Sequence, residues 1–215
     1  MTGKLPKSAS VAHTLHGAKL HAPAAERNAS VLCNLLIEYA PEAGQALELA
    51  SGTGQHVVQF ARACPGLTWQ PTELENDRIA SIAAYIAESD VTNVLNPVFL
   101  DATVAGWAGK HAGLDLIVLV NLLHLLSEPA AEAVTRNAMR ALRDGGRFIL
   151  YGPFKRQGTL ISAGDQKFDA QLRGSDPAIG YKDSQDIEAA LRAAGASLVQ
   201  QREMPANNLA FVVTR

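Results

Sequence analysis

Two hydrophobic periods alternate along the chain. Between Pro23 and Ala40, Val31, Leu32, Leu35, Leu36 and Tyr39 recur at helical spacing, which predicts an amphipathic helix stopped before Pro41 and Gly44. Ala46 to Ala50 is short and apolar, the Ser51-Gly52-Thr53-Gly54 after it reads as a tight turn, and Gln55 to Cys64 returns to helical spacing with Pro65-Gly66 as its stop. The unit then repeats: a strand at Leu67 to Gln70, a helix at Glu75 to Ser89, and a strand at Pro97 to Leu100 leading into Asp101. Leu114 to Val120 is the most continuous apolar run, as expected of a central strand covered on both faces. Glu128 to Arg143 predicts a helix closed by Asp144-Gly145-Gly146, and Arg147 to Tyr151 a fifth strand.

The alternation breaks after Tyr151. Gly152 to Asp183 is a long polar stretch with weak periodicity and one short helix around Lys167 to Leu172; loops of that length are usually functional or mobile. Ser184 to Ala194 predicts a helix ending at Gly195. Ala196 to Glu203 and Leu209 to Thr214 are strands joined by Met204-Pro205-Ala206-Asn207-Asn208, a connection short enough to require an antiparallel pair. Five strand–helix units followed by a helix and a terminal hairpin resemble the element order of class I methyltransferases. The expected fold is therefore α/β and Rossmann-like: a seven-stranded, mostly parallel sheet with an antiparallel C-terminal hairpin strand and helices on both faces. Dehydrogenase Rossmann domains normally lack that hairpin. Residues 23–215 form a single domain in this reading, and residues 1–22, which carry His13, His16 and His21, a flexible segment or a lid.

Composition narrows the picture. A chain of 215 residues with 47% hydrophobic content can bury a full core, and 19 basic against 21 acidic residues leave no electrostatic footprint for a polyanion, so nucleic acid is disfavoured. Cys33 and Cys64 lack CxxC spacing, which argues against a disulfide framework or a thiolate zinc site and predicts buried thiols. No apolar run approaches the roughly 18 residues of a membrane span, and Met1 to Ser10 lack the apolar core of a secretory signal, so a cytoplasmic protein, monomeric or homodimeric, is the expectation. His13 and His16 have no third ligand at useful spacing, and no metal is predicted.

The candidate chemistry gathers at the ends of the strands. Glu48, in the first strand, precedes the turn Ala50-Ser51-Gly52-Thr53-Gly54; Gly52 and Gly54 allow close backbone approach to a ligand, and Glu48 can accept from a ligand ammonium. The third glycine of the dinucleotide fingerprint is replaced by Val57, which favours the amino-acid end of S-adenosylmethionine over a pyrophosphate. Glu73, followed by Leu74, ends the second strand where a carboxylate can accept both ribose hydroxyls; a solvated loop acid is the plain alternative, with Glu75 as competitor. Asp101 ends the third strand, where it can accept from the adenine amino group with Leu100 and Ala102 flanking the ring, or simply cap a helix. Asn121 and Leu122 follow the fourth strand; Asn121 is a cofactor contact or a helix cap. His124 is a general base or a structural histidine, and His56 a cofactor contact or a cap. Trp69 and Trp107 read as packing residues. The Asn-Pro-Pro-aromatic motif of enzymes that methylate amide or exocyclic nitrogens is missing, because Leu122-Leu123 follow Asn121.

Taken together, the stretches Ala24-Ala25-Glu26-Arg27-Asn28, Glu48 to His56, Trp69-Gln70-Pro71-Thr72, Tyr151-Gly152-Pro153-Phe154, Phe168-Asp169 and Met204 to Asn208 resemble an uncharacterised group of methyltransferase-like proteins that includes methyltransferase-like protein twenty-six and bacterial relatives. The resemblance implies an S-adenosylmethionine pocket without a known acceptor. Such relatives often read Asn-Met-x-His after the fourth strand, where this chain has Asn121-Leu122-Leu123-His124, and often have aspartate in place of Glu73. Residues outside the cofactor motifs suggest an acceptor pocket: Arg27 and Asn28 reaching over the cofactor, Tyr151 as a second candidate base, and Phe154, Asn207 and Asn208 as acceptor contacts. Arg27 as an ion-pair partner, Tyr151 as core and the asparagines as turn formers are the alternatives. The leading expectation is methyl transfer to a small molecule; a protein that binds the cofactor without turnover is the second.

Overall fold

The computed structural model describes residue 6 and residues 9–215. An antiparallel hairpin of β1 (His13–His16) and β2 (Lys19–His21) leads into α1 (Pro23–Tyr39). Strand–helix units follow: β3 (Gly44–Leu49), α2 (Gln55–Ala63), β4 (Leu67–Glu73), α3 (Asn76–Ala87), β5 (Val98–Phe99), α4 (Trp107–Lys110), β6 (Leu114–Val120), α5 (Glu128–Ala141) and β7 (Leu142–Lys155). The chain closes with α6 (Ala163–Ser175), β8 (Lys182–Asp183), α7 (Ser184–Ala193), β9 (Leu198–Glu203) and β10 (Asn208–Thr214).

The main sheet runs β5-β4-β3-β6-β7-β10-β9, with the short β8 paired to the end of β7. From β5 to β7 the pairs are parallel, and β10 lies antiparallel between β7 and β9. This is the expected Rossmann-like methyltransferase architecture. Each central strand feeds two cores by simple alternation. Leu47 and Leu49 of β3 and Ile117 and Leu119 of β6 pack with residues of α5 and α7, whereas Ala46, Leu116 and Val118 pack with α1, α2 and Trp69. Burial on both faces explains why β6 reads as an unbroken apolar run.

Several boundaries differ from expectation. The third strand is only Val98–Phe99, while the fifth extends well past Tyr151 to Lys155. The long polar stretch is ordered: α6 spans 13 residues, much longer than the helix expected around Lys167 to Leu172. A capping box fixes its start, Ser162 accepting from the Asp165 amide at 3.2 Å and Asp165 accepting from the Ser162 amide at 3.0 Å. Periodicity is weak there because Asp169 and Leu172 are the helix's only fully buried residues. Cys33 and Cys64 are free but half-buried, not buried as expected. Among the described residues no helix is long and apolar enough to cross a membrane.

Candidate functional site

The C-terminal ends of β3, β4 and β6 open into a cavity of about 550 Å³, within the range of small-molecule sites. Its first end is made by the turn after β3. Ala50, Gly52 and Gly54 all have positive φ, at 53°, 61° and 91°. Gly54 is sterically required there, because a Cβ would stand 2.7 Å from the Ile82 backbone, whereas a Cβ on Gly52 would meet only the Arg78 guanidinium, at 3.5 Å. Neighbouring strands lock the turn: the Ser51 amide donates to the Thr72 carbonyl at 2.8 Å, the Thr72 hydroxyl to the Glu48 carbonyl at 2.8 Å, and the Ser81 hydroxyl to the Thr53 carbonyl at 2.7 Å.

Two acids face this end. Glu73 accepts from the Gly52 amide at 3.0 Å and from the Leu74 amide at 3.1 Å, which leaves lone pairs on both oxygens for a ligand. Glu48 is 1% exposed, and its Oε2 has no partner among the described residues. Burial pushes its carboxyl up to about 8, only partly offset by Ser51, with the charge of Glu73 adding to the rise.

Arg27 and His56 also border the cavity. Arg27 is exposed and has no ion-pair partner among the described residues. His56 is buried, stacks on Phe60 with ring centroids 5.3 Å apart, and donates from Nε2 to Asn28 Oδ1 at 2.7 Å. Burial holds its ring neutral, with a pKa near 4. Asn28 in turn bonds the Tyr151 hydroxyl. Asn28 and Tyr151 therefore stand behind the wall, supporting His56, and Tyr151 packs in the core rather than on the cavity.

The opposite end begins after β6. Asn121 has a φ of 54°, a conformation that asparagine tolerates, and its amide donates to the Tyr151 carbonyl at 2.9 Å. Leu122 and His124 follow on the cavity wall, His124 within a 3-10 turn over Leu123–Leu125. Burial, and secondarily the charge of Lys182, lowers the His124 pKa to about 3, and its Nδ1 has no partner among the described residues. Phe168 and Tyr181 complete this wall, their ring centroids 5.8 and 6.1 Å from that of His124.

Other expected site residues lie off the cavity wall. Asp101 accepts from the Thr103 amide at 2.9 Å and hydroxyl at 2.6 Å, which caps the turn after β5. Ala102 is buried, its carbonyl taken by Trp107 Nε1 at 3.0 Å. Leu74 and Gly54 flank the cavity without lining it. Phe154 is 2% exposed and packs edge-on against Phe211, so it belongs to the core. In the hairpin turn Asn208 borders the cavity, whereas Asn207 donates to Asp165 at 3.0 Å.

The sequence reading missed Ser10, Arg78, Tyr181 and Lys182, and gave Phe168 no role. Arg78 donates to Ser10 at 2.6 Å, which draws residues 9–11 over the cavity. The one available signal was Phe168 and Leu172 at helical spacing, both packed into one small apolar cluster with Tyr181.

Solved methyltransferase structures share this architecture. An O-methyltransferase family protein from Burkholderia thailandensis superposes with a TM-score of 0.73 at 20% identity, over 89% of this chain and 57% of that one. PigF, solved with SAH, gives 0.71 at 20% identity, over 88% and 56%. Human N-acetylserotonin methyltransferase, in complex with SAM, gives 0.73 at 12% identity, over 89% and 52%. The chain thus spans little more than half the length of these proteins, and at such identities the likeness is one of fold. A family model described as "Protein of unknown function (DUF938)" matches residues 19–215, nearly the whole chain, and the protein belongs to that family.

Proposed function

We propose that the protein is an S-adenosylmethionine-dependent methyltransferase acting on a small molecule. The observation that carries this reading is Glu48: a buried carboxyl with an unpartnered oxygen beside a glycine turn, on the wall of a ligand-sized cavity. An ammonium supplies the missing partner and ionises the acid, whereas a dinucleotide pyrophosphate would bring negative charge toward Glu48 and Glu73. S-Adenosylmethionine, when bound, supplies an electrophilic methyl carbon to the acceptor's lone pair as the carbon–sulfur bond breaks and leaves S-adenosylhomocysteine.

The chain's own residues bind, orient and exclude water. In this reading Glu48 holds the ammonium, the Ala50-Ser51-Gly52 backbone lies along the amino-acid portion, and Glu73 takes the ribose hydroxyls. Arg27 is free to meet the carboxylate. Gly54, His56, Asn28, Leu74, Asn121 and Leu122 shape the surround. His124, held neutral, accepts a hydrogen bond from the acceptor and orients it, and residues 9–11 keep bulk water out. Titration of Glu48→Gln and Glu73→Gln with S-adenosylhomocysteine tests the assignment. Each change removes about 1.5–3 kcal/mol of charge-assisted bonding, a roughly ten- to hundredfold loss of affinity. Full affinity in both variants would refute it.

A further inference from the structure

The charged side chains around the second end of the cavity are committed inside the protein. Asp169 accepts from the Tyr181 amide at 2.7 Å and from Arg173 Nε at 2.9 Å. Asp165 takes the Tyr181 hydroxyl at 3.2 Å, the Asn207 amide group at 3.0 Å and the Ser162 hydroxyl at 2.7 Å. Lys182 donates to the Leu126 carbonyl at 2.7 Å and the Gly180 carbonyl at 2.8 Å. Asn208, on the rim, donates to the Pro205 and Ala206 carbonyls at 3.0 and 3.4 Å. Two polar side chains of this wall are not so engaged among the described residues: the Asn121 amide, and the His124 ring, whose buried Nδ1 lacks the hydrogen bond such a nitrogen ordinarily has.

Apart from these two groups, the wall at this end is aromatic and apolar. Phe168 and Tyr181 stand nearly perpendicular to each other, at 73°, and His124 is tilted 59° to Phe168 and 65° to Tyr181. Mutually tilted rings present both faces and edges, and a planar ring fits such a corner with one face against one wall and its edge toward the other. A saturated ring of the same size has neither a face nor a polarised edge to offer. An ionised group here would meet no unpaired counter-charge, since the lysine and both aspartates are already bonded. Arg27, a cation on the cavity wall with no ion-pair partner among the described residues, comes from α1 and lies with Ala24 and Ala25 on the N-terminal side.

From this partition, and resting on the methyltransferase reading above, we infer that the acceptor is an uncharged aromatic molecule carrying one hydroxyl or amine, seated against the corner formed by Phe168 and Tyr181 with that group directed to His124. A hydroxyl or amine both donates and accepts, so it meets the ring nitrogen in either tautomer.

Three probes of matched size separate the parts of this inference: phenol, cyclohexanol and benzoate, each titrated by ligand-observed NMR into the protein with and without S-adenosylhomocysteine. Cofactor binding is read in its own titration, so failure of the methyltransferase reading and failure of the acceptor inference are distinguished. The expected result is that phenol binds at least about tenfold tighter than cyclohexanol, that benzoate binds more weakly than either, and that phenol moves the His124 Nδ1 ¹⁵N resonance. Phe168→Ala should lower phenol affinity by about tenfold while leaving S-adenosylhomocysteine affinity unchanged. Equal affinity for phenol and cyclohexanol, preference for benzoate, binding of none of the three, or phenol binding without a response at His124 would each overturn the inference.

Discussion

The two ends of the cavity are held by different means. At the β3–β4 end the wall is mostly main chain: the turn at Ala50–Gly54 is bent by positive φ angles and tied to its neighbours by Thr72, Ser81 and Glu73. At the other end no single segment makes the wall. His124 follows β6, Phe168 sits on α6, Tyr181 precedes β8, and Lys182 joins them by bonding the Leu126 and Gly180 carbonyls while the Gly180 amide donates to the His124 carbonyl at 3.0 Å. A backbone-built end keeps its shape when a lining side chain such as Glu48 changes, although the ligand contact is lost, but not when a close-packed glycine such as Gly54 does. A side-chain-built end behaves in the opposite way.

The largest expected effect is at Gly54. Gly54→Ala adds a Cβ 2.7 Å from the Ile82 backbone at a φ of 91°, and should destabilise the fold by about 3 kcal/mol in chemical denaturation. Gly52→Ala has space for its Cβ and should cost only about 1 kcal/mol, through its φ alone. Equal costs would break the claim that close approach to α3 sets this turn.

Lys182→Met breaks the second end in turn. Two buried carbonyls lose an ammonium donor, at about 2 kcal/mol, and the His124 ring, relieved of a neighbouring positive charge, should titrate above its value near 3 when followed by NMR. S-Adenosylhomocysteine affinity should hold, because Lys182 touches nothing at the first end. A joint loss of affinity would mean that the two ends are not independent.

The smallest effect sharpens the comparison through pH. Glu48 titrates near 8 in the folded protein against an ordinary value near 4.5, so the folded state holds the extra proton between those limits. Its contribution to stability is present below about pH 4.5 and is lost as pH rises toward 8. His56 and His124 act in the reverse sense: their folded pKa values, near 4 and 3, lie below the ordinary 6.5, so stability falls as pH drops below 6.5. Glu48→Gln should therefore flatten the decline between pH 4.5 and 8 and leave the acid limb unchanged. A flattened acid limb instead would contradict this assignment of the two limbs.

The same division explains what the sequence could reveal. The backbone-built end was legible because its signals are local: an apolar strand, glycines in a fixed spacing, and acids at strand ends. The fold was legible for the same reason, down to the terminal hairpin. The other end was not, since Lys182 reads as a surface lysine until β8 pairs with β7 and buries it, and Tyr181 has no periodic neighbour to betray its wall. Asp101 and Phe154 were singled out by position along their strands. Position alone did not disclose that one caps its own loop and the other turns into the core.

We propose the first end of the cavity as an S-adenosylmethionine site. Calorimetric titration of the purified protein with S-adenosylhomocysteine, with a nicotinamide dinucleotide as control, tests it most directly. Micromolar binding of the former and none of the latter is the predicted result. Binding of the dinucleotide alone, or of neither, would contradict it.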